Sequence, residues 1–572
     1  MTPDFQKAHI AGVERIAAWS DVLDVINVFP VADGDTGRNL ITSLTPLRYL
    51  EKNLEDTIHK LLLSARGNSG NIAVQFFSGF LTADSYANLA RAAKSGRDQA
   101  WQAVSKPMPG TMLTVLDTLV DFLEHSDFKN NTECVDKIID RLEASVKSTP
   151  ELLPKLKQAG VVDSGALGMY IFLEGFFKSL IGQHNSFRPI SAIFQGLLEI
   201  SPSYQVKIEE GYCVDTVIHF DENAKENVNR LSQYGESLVV IPHKDYLKVH
   251  LHTSESREAK ARFESLGEVV NWTDDNIGSQ IRDFTRLHRQ GAVHIMTDAA
   301  GSVTRDDSRE LGLTLLDSYI VAGEKSLPET LFSPEELYKT MRRGIRVSTS
   351  QASVFERHQY YQRVLAQYSK VLYLCVGSVF TGNYDVAVDW KAQNDPDDRL
   401  TVIDSGAASG RLGAIVIATA RYATQTKDPD AIINFARRAV EKCEEYVFLD
   451  KLKYLAAGGR LAKPSAFFGD MFRVKPIISP TAEGAKKVGA VKNRKAQLNF
   501  ALDRLAAAID KESSPFIMLE HSDNRNWVND TVKKEIQGLY PSADIMLQPL
   551  SLTSGVHMGP GTWAVAFLPE RI

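Results

Sequence analysis

With 572 residues the chain is too long for a single hydrophobic core, and about three or four domains are expected. Apolar residues make up 44% and charged residues 24%, as in ordinary globular domains; a net charge of -6 and a pI near 6.2 argue against a nucleic-acid partner, which would call for a basic excess. The opening stretch MTPDFQKAHIAGVERI lacks the apolar core of a signal peptide, and no uncharged apolar run reaches the roughly 18 residues of a membrane span. Four scattered cysteines suit a reducing cytoplasm.

Up to about residue 195, helical patterns alternate with glycine-rich turns. DTIHKLLLSARGNSGN reads as a helix running into a Gly/Ser loop at Gly67 to Gly70. KPMPGTMLTVLDTLVDFLEH and QAGVVDSGALGMYIFLEGFFKSL read as loops running into helices. An all-α domain with its loops gathered at one end is expected over 1–195. Residues 200–285 change period: GYCVDTVIHF, ESLVVIPHKDYLKVHLHT and GEVVNWT alternate as strands do, with a charged helix in SESREAKARFESLG, so a small α+β domain is expected. Over 291–572, strands such as AVHIMTDAAGS, VLYLCVGSVFTG and LTVIDSGAASGRLGAIVIATA end in Ser, Thr, Asp and Gly before helices. They imply an α/β domain with a parallel sheet and a ligand site at the strand ends, with further strands from FIMLEHSD onward.

The first candidate site is NVFPVADGDTGRN, residues 27–39. No bulky apolar residue occurs from Ala32 to Asn39, so a turn is expected rather than a helix or strand interior. Alone, Asp33-Gly34-Asp35 would most often be a solvated turn. Its context is different: Asn27, Asp33 and Asp35 offer hard oxygen ligands for Mg²⁺, Thr36 and Asn39 add donors, and RGNSGN and PGTM present backbone N–H groups suited to phosphate. There is no P-loop signature.

NVFPVADGDTGRN, ARGNSGN, GTMLTVL and AGVVDSGALG, in this order, resemble the ATP-binding domain of the dihydroxyacetone-kinase L type, in the version found in bacterial fatty acid kinases. The resemblance implies a helical barrel in which Asn27, Asp33 and Asp35 hold Mg²⁺. Thr36, Asn39, Ser69, Gly70 and Thr111 would face the phosphates of ATP, and Asp163 with Gly165 would border the nucleotide. Arg38 departs from the family's small residue, and either phosphate contact or crowding of the site is open to it.

A second candidate site is a metal clip. In KVHLHT, period 2 places His250 and His252 on one strand face, and Cys213 lies on another strand of the same small domain. Cys and two His form a zinc set lacking one ligand, with three ordinary strand residues as the alternative. The stretch resembles the middle domain of fatty acid kinases, whose matching positions are associated with zinc.

The third candidate site lies in the last 280 residues or so. TDAAGS (297–302), STSQAS (348–353), GSVFTGNY (377–384), IDSGAASG (403–410), LAAGGRLAK (455–463), KPIIS (475–479) and HMGPGT (557–562) resemble the DegV family of fatty-acid-binding proteins. SQAS and GSVFTGNY depart from the usual SQPS and SGTY-ending forms. The resemblance implies that Thr349, Ser378, Arg460 and His557, on four separate loops, hold a fatty acid carboxylate, with the acyl tail in an apolar cavity.

Together the three resemblances imply a fatty acid kinase. A carboxylate is ionised at neutral pH and needs no general base, so positioning and charge neutralisation would carry phosphoryl transfer, with Arg460 and His557 at the acceptor. Implied alongside are a homodimer, transfer in cis or in trans, and acyl phosphate passed to acyltransferases at the membrane surface. A kinase of a dihydroxyacetone-like substrate and a lipid-binding protein with a relic kinase domain are the rival readings.

Overall fold

The computed structural model describes residues 2–50, 53–126, 128, 130–184, 187–219, 235–284, 291–323, 325–457 and 474–570. They form two compact units, Met1–Arg286 and Leu287–Ile572.

The first unit begins with eleven helices among the described residues: α1 (Pro3–Val25), α2 (Thr36–Leu44), α3 (Leu54–Ser64), α4 (Gly67–Phe80), α5 (Leu89–Ala103), α6 (Met112–His125), α7 (Thr132–Lys147), α8 (Thr149–Leu152), α9 (Pro154–Ala159), α10 (Ser164–Leu180) and α11 (Ile190–Ile193). Helix α10 is apolar all round and almost wholly buried, as a central helix must be. Against it packs α1, where a Cβ on Gly12 would strike the Phe172 ring and where Arg15 pairs with Glu174 out of water. His9 is buried among the rings of Phe77, Phe80, Phe172 and Phe176, and burial lowers its pKa to about 4, so the core holds it neutral.

The same unit continues with β1 (Tyr212–His219), β2 (Glu236–His243), β3 (Tyr246–Thr253), α12 (Ser256–Glu264), β4 (Glu268–Asn276) and α13 (Ile277–Phe284). The strands form an antiparallel sheet in the order β2-β3-β1-β4. Alternation divides β1 between two faces: Val214 and Ile218 pack with Ala259 and Phe263 of α12, while Cys213 joins Val31, Ile277 and Ile281. The sheet's second face therefore meets the segment that carries Asp33.

The second unit contains β5 (His294–Asp298), β6 (Thr314–Leu316), β7 (Tyr319–Ala322), β8 (Lys325–Pro328), β9 (Val347–Ser350), β10 (Val371–Cys375), β11 (Leu400–Asp404), β12 (Glu444–Phe448), β13 (Lys475–Thr481), β14 (Gly484–Val491), β15 (Phe516–His521), β16 (Asp544–Pro549) and β17 (Trp563–Leu568). The expectation of a parallel sheet holds for the four-stranded sheet β11-β10-β5-β6. It needs correction elsewhere: β14-β13-β12-β17-β15-β16 is mixed, with only β15 and β16 parallel, and β8-β7-β9 is antiparallel. A strand buried on both faces is a continuous apolar run whichever way its neighbours point, so composition does not report direction. Both larger sheets face a common apolar core around Leu372, Leu374, Ile415 and Met518.

Candidate functional site

Two sequence expectations about the first site need correcting. The turn that starts at Ala32 is short, because Thr36 to Asn39 already form the first turn of α2, and Gly67 to Gly70 form the first turn of α4 rather than a loop. Small residues are needed there for close packing, and they look like a loop when read alone. Gly67 adopts φ +60°, and a Cβ on it would lie 2.0 Å from Nδ2 of Asn39.

Four helix N-termini converge. The Thr36 and Ser69 hydroxyls are 3.4 Å apart, joining α2 to α4, and Ser164 at the start of α10 donates to Thr36 at 3.0 Å and to Asn27 at 3.3 Å. A Cβ on Gly165 would meet Met112 of α6 at 3.0 Å and Ser69 at 3.6 Å. Thr111 caps α6, accepting from the Leu113 N–H, and buried Asp163 caps α10, accepting from the Ala166 N–H at 2.7 Å. Burial raises the Asp163 pKa to about 7 against the pull of those N–H groups. Aligned N–H groups and partial positive charge thus gather where Asn27, Asp33 and Asp35 lie.

A neighbour takes over the capping of α2 from the turn. Asp35 is the N-cap residue of α2 but makes no capping bond. Asp24 of α1 does so in its place, accepting from the N–H groups of Gly37 at 2.7 Å and Arg38 at 3.2 Å. Arg38 folds back, pairing with Asp24 at 3.2 Å and donating to the Gly34 carbonyl at 2.6 Å, so its guanidinium braces the turn. Gly34, at φ +62°, is covered by Phe284 of α13. Asn27 donates to Asp33 at 2.5 Å. Burial first, and Asp35 next, push the Asp33 carboxyl well above its usual range. A buried carboxyl that resists ionising beside a second carboxylate, with an amide oxygen near by, fits a divalent cation.

The metal clip is assembled on the sheet. Cys213, His250 and His252 place ligand atoms within 4.8 Å of one another, and His252 stands opposite Cys213 in register. Burial, then His250, drives the His252 pKa down to about 3, leaving a neutral imidazole, and Nε2 of His250 is buried with no hydrogen-bond partner among the described residues. Burial, with Asp215, Asp35 and Asp33 adding to it, holds the Cys213 thiol protonated until a cation counters them. This donor set fits zinc.

In the second unit the structure brings two of the four predicted residues together: the Thr349 hydroxyl lies 3.2 Å from Nε2 of His557. Neither is on a loop as expected, since Thr349 is in β9 and His557 is in the last turn of the helix Leu552–Met558. Ser378 is on a turn, exposed, and donates to Asp404 at 2.5 Å. Arg460 lies outside the described residues. Buried Asp298 ties down the Ser378 turn by accepting from the Val376 N–H at 2.9 Å and from Asn383 at 2.8 Å. Buried Glu329 accepts from the Thr553 N–H at 3.0 Å, fixing the start of the His557 helix.

Sequence reasoning missed Asp24, Ser164, Asp215, Asp298 and Glu329. Ser164 and Asp298 lie inside the motifs AGVVDSGALG and TDAAGS, and period 2 from Cys213 reaches Asp215; nothing local marks Asp24 or Glu329.

Comparison with known proteins bears on both units. A DAK2 domain model matches residues 30–178, a model for the FakA-like middle domain of fatty acid kinases matches 209–284, and a model for uncharacterised proteins of the DegV family matches 292–570. An uncharacterized protein of Staphylococcus saprophyticus is 32% identical over 328 residues, covering 52% of this chain and 59% of that one. One from Staphylococcus aureus is 31% identical over 378 residues, covering 59% and 66%. The chain thus spans about three-fifths of the length of such curated relatives. Among solved structures, a fatty acid-binding DegV family protein from Thermus thermophilus (21% identity, 48% of this chain, 99% of that chain) and the fatty acid-binding DegV of Bacillus subtilis (18%, 49% and 100%) each align with a TM-score of 0.45. In chain order, then, this protein joins a DAK2 domain, a FakA-like middle domain and a DegV-family domain.

Proposed function

We propose that the chain is an ATP-dependent fatty acid kinase. A carboxylate oxygen of a fatty acid held by the second unit forms a bond to the γ-phosphorus of ATP as the bond from that phosphorus to the β–γ bridging oxygen breaks. The products are an acyl phosphate and ADP. The observation that carries this reading is the convergence of four helix N-termini on Asn27, Asp33 and Asp35, in a chain whose other half is a DegV-family domain.

Asn27, Asp33 and Asp35 would hold Mg²⁺, which supplies charge neutralisation on the phosphates. Thr36, Asn39, Ser69, Gly70 and Thr111 stand at the helix starts where N–H groups and hydroxyls receive phosphate oxygens. Thr349 donates to the acyl carboxylate, while His557 and Arg460 balance charge at the acceptor. Cys213, His250 and His252 would hold a structural zinc ion. No side chain has to remove a proton, because the acceptor is already ionised. Having donor and acceptor units on one chain raises the effective concentration of each for the other, whether transfer runs within a chain or across a homodimer. In this reading the protein works in the cytoplasm and hands acyl phosphate to acyltransferases at the membrane surface. The brace that Arg38 forms with Asp24 and Gly34 favours a working turn over a relic.

The test is to incubate the purified chain with Mg·ATP and a panel of fatty acids and to trap the product with hydroxylamine. Acyl hydroxamate equal to the ADP released is expected; ADP release without hydroxamate would overturn the reading.

A further inference from the structure

Asp215 is the most heavily shared side chain of the first unit. It is 4% exposed, on the face of β1 that also carries Cys213. One carboxylate oxygen accepts from the Gly67 N–H at 2.8 Å and lies 3.3 Å from Nδ1 of His250. The other accepts from Asn71 at 2.9 Å and pairs with Lys248 at 3.1 Å.

Its four partners fall into two groups. Gly67 and Asn71 lie in the opening turns of α4, which also carry Ser69 and Gly70, and Asn71 donates in addition to the Gly67 carbonyl at 2.7 Å. On the other side are Lys248 and His250 of β3, the latter a member of the metal cluster. Next to Gly67, Arg66 donates to Thr273 at 2.5 Å, and Thr273 stands opposite Asp215 in register, so the same junction is pinned from β4.

We propose that Asp215 is a positioning residue coupling the two: it orients His250 for the metal and holds the first turn of α4 in its phosphate-receiving form, so that metal in the Cys213/His250/His252 cluster strengthens binding of Mg·nucleotide. The inference rests on the nucleotide and metal assignments made above. Its physical basis is that one buried carboxylate, shared between α4 and His250, cannot satisfy both unless both are in place. An imidazole that donates to a carboxylate is held in one tautomer with its other nitrogen ready for a metal. Coupling through such a shared group is reciprocal and commonly amounts to about 5- to 150-fold in affinity.

The experiment measures binding of a non-hydrolysable Mg·ATP analogue by calorimetry, with metal content determined in parallel, on the full chain loaded with zinc and again after chelation. Wild type should bind the nucleotide about tenfold more weakly after chelation. Asp215→Asn should lose roughly tenfold or more in zinc affinity, and its nucleotide affinity at saturating zinc should not depend on the metal. Asn71→Ala removes one of the two α4 contacts and none on the metal side, so it should keep wild-type zinc affinity while losing much of the metal dependence; a purely structural role would not separate the two readouts in this way. Melting curves confirm that each variant is folded, and Asn71→Ala carries the test should Asp215→Asn fail to fold. Metal-independent nucleotide binding in wild type, or wild-type coupling in folded Asn71→Ala, would overturn the coupling alone. No nucleotide binding by wild type in either state would overturn the nucleotide assignment, and the coupling with it.

Discussion

The two units solve different problems with the same residue types. In the first, polar groups around Asp33 fix one another: Asp24 takes the helix-capping duty from Asp35, Ser164 spans Asn27 and Thr36, and Arg38 closes the turn. In the second, Thr349 and His557 share one 3.2 Å contact in half-buried positions, and the bracing carboxylates Asp298 and Glu329 act one step back, on the segments that carry the site residues. A site for concentrated phosphate charge gains most from dipoles that need not reorient. A site that admits and releases a long apolar ligand needs its scaffold fixed. Asp24, Asp298 and Glu329 accept from backbone N–H groups and so set geometry.

The sharpest way to break this contrast is to remove a carboxylate from the first site. Asp33→Ala or Asp35→Ala should lower acyl phosphate formation by about 10³-fold or more, with co-purified fatty acid unchanged. Turnover near wild type in either variant would end the metal assignment.

Arg460 tests whether the second unit contributes charge to the reaction. Arg460→Ala should cut turnover by about 10²-fold while fatty acid remains bound. Loss of lipid with normal turnover at saturating fatty acid would reduce Arg460 to an anchor.

The cores of the units should also respond oppositely to pH. His9, buried and lowered from 6.5 to about 4, contributes stability present above pH 6.5 and lost as pH falls toward 4, on the order of 3 kcal/mol. Glu329, raised from 4.5 to about 8 by burial, contributes stability present below pH 4.5 and lost as pH rises through about 8. Melting of the full chain across pH should show His9→Phe flattening the acid side and Glu329→Gln flattening the alkaline side. Unchanged profiles in both variants would refute the assignment of these slopes.

The smallest effect is expected from the loosest contact. Thr349→Val removes one hydroxyl and should weaken fatty acid binding by about tenfold, near the cost of a single hydrogen bond, as measured by lipid retention. Turnover at saturating lipid should stay close to wild type, and a drop as deep as that of Arg460→Ala would erase the distinction between holding and reacting.

Local pattern determined a good deal of this molecule. Helical period and glycine punctuation marked the helix running into Gly67 and the helices that follow Gly110 and Gly160, and alternation put His250 and His252 on one strand face. These features depend on neighbours a few residues apart, which sequence displays directly. Only tertiary structure decided the rest. Asp24 caps α2 because α1 and α2 pack so that a carboxylate reaches over, thirteen residues back, where any nearer acid would seem the better candidate. Asp215 meets Gly67 across 148 positions. The mixed order of the second unit's large sheet follows from pairing between distant strands, and an apolar run buried on both faces carries no mark of its partner's direction. Residue types and periods are local properties, whereas caps borrowed from another helix, strand order and the covering of a face depend on what the folded chain brings alongside.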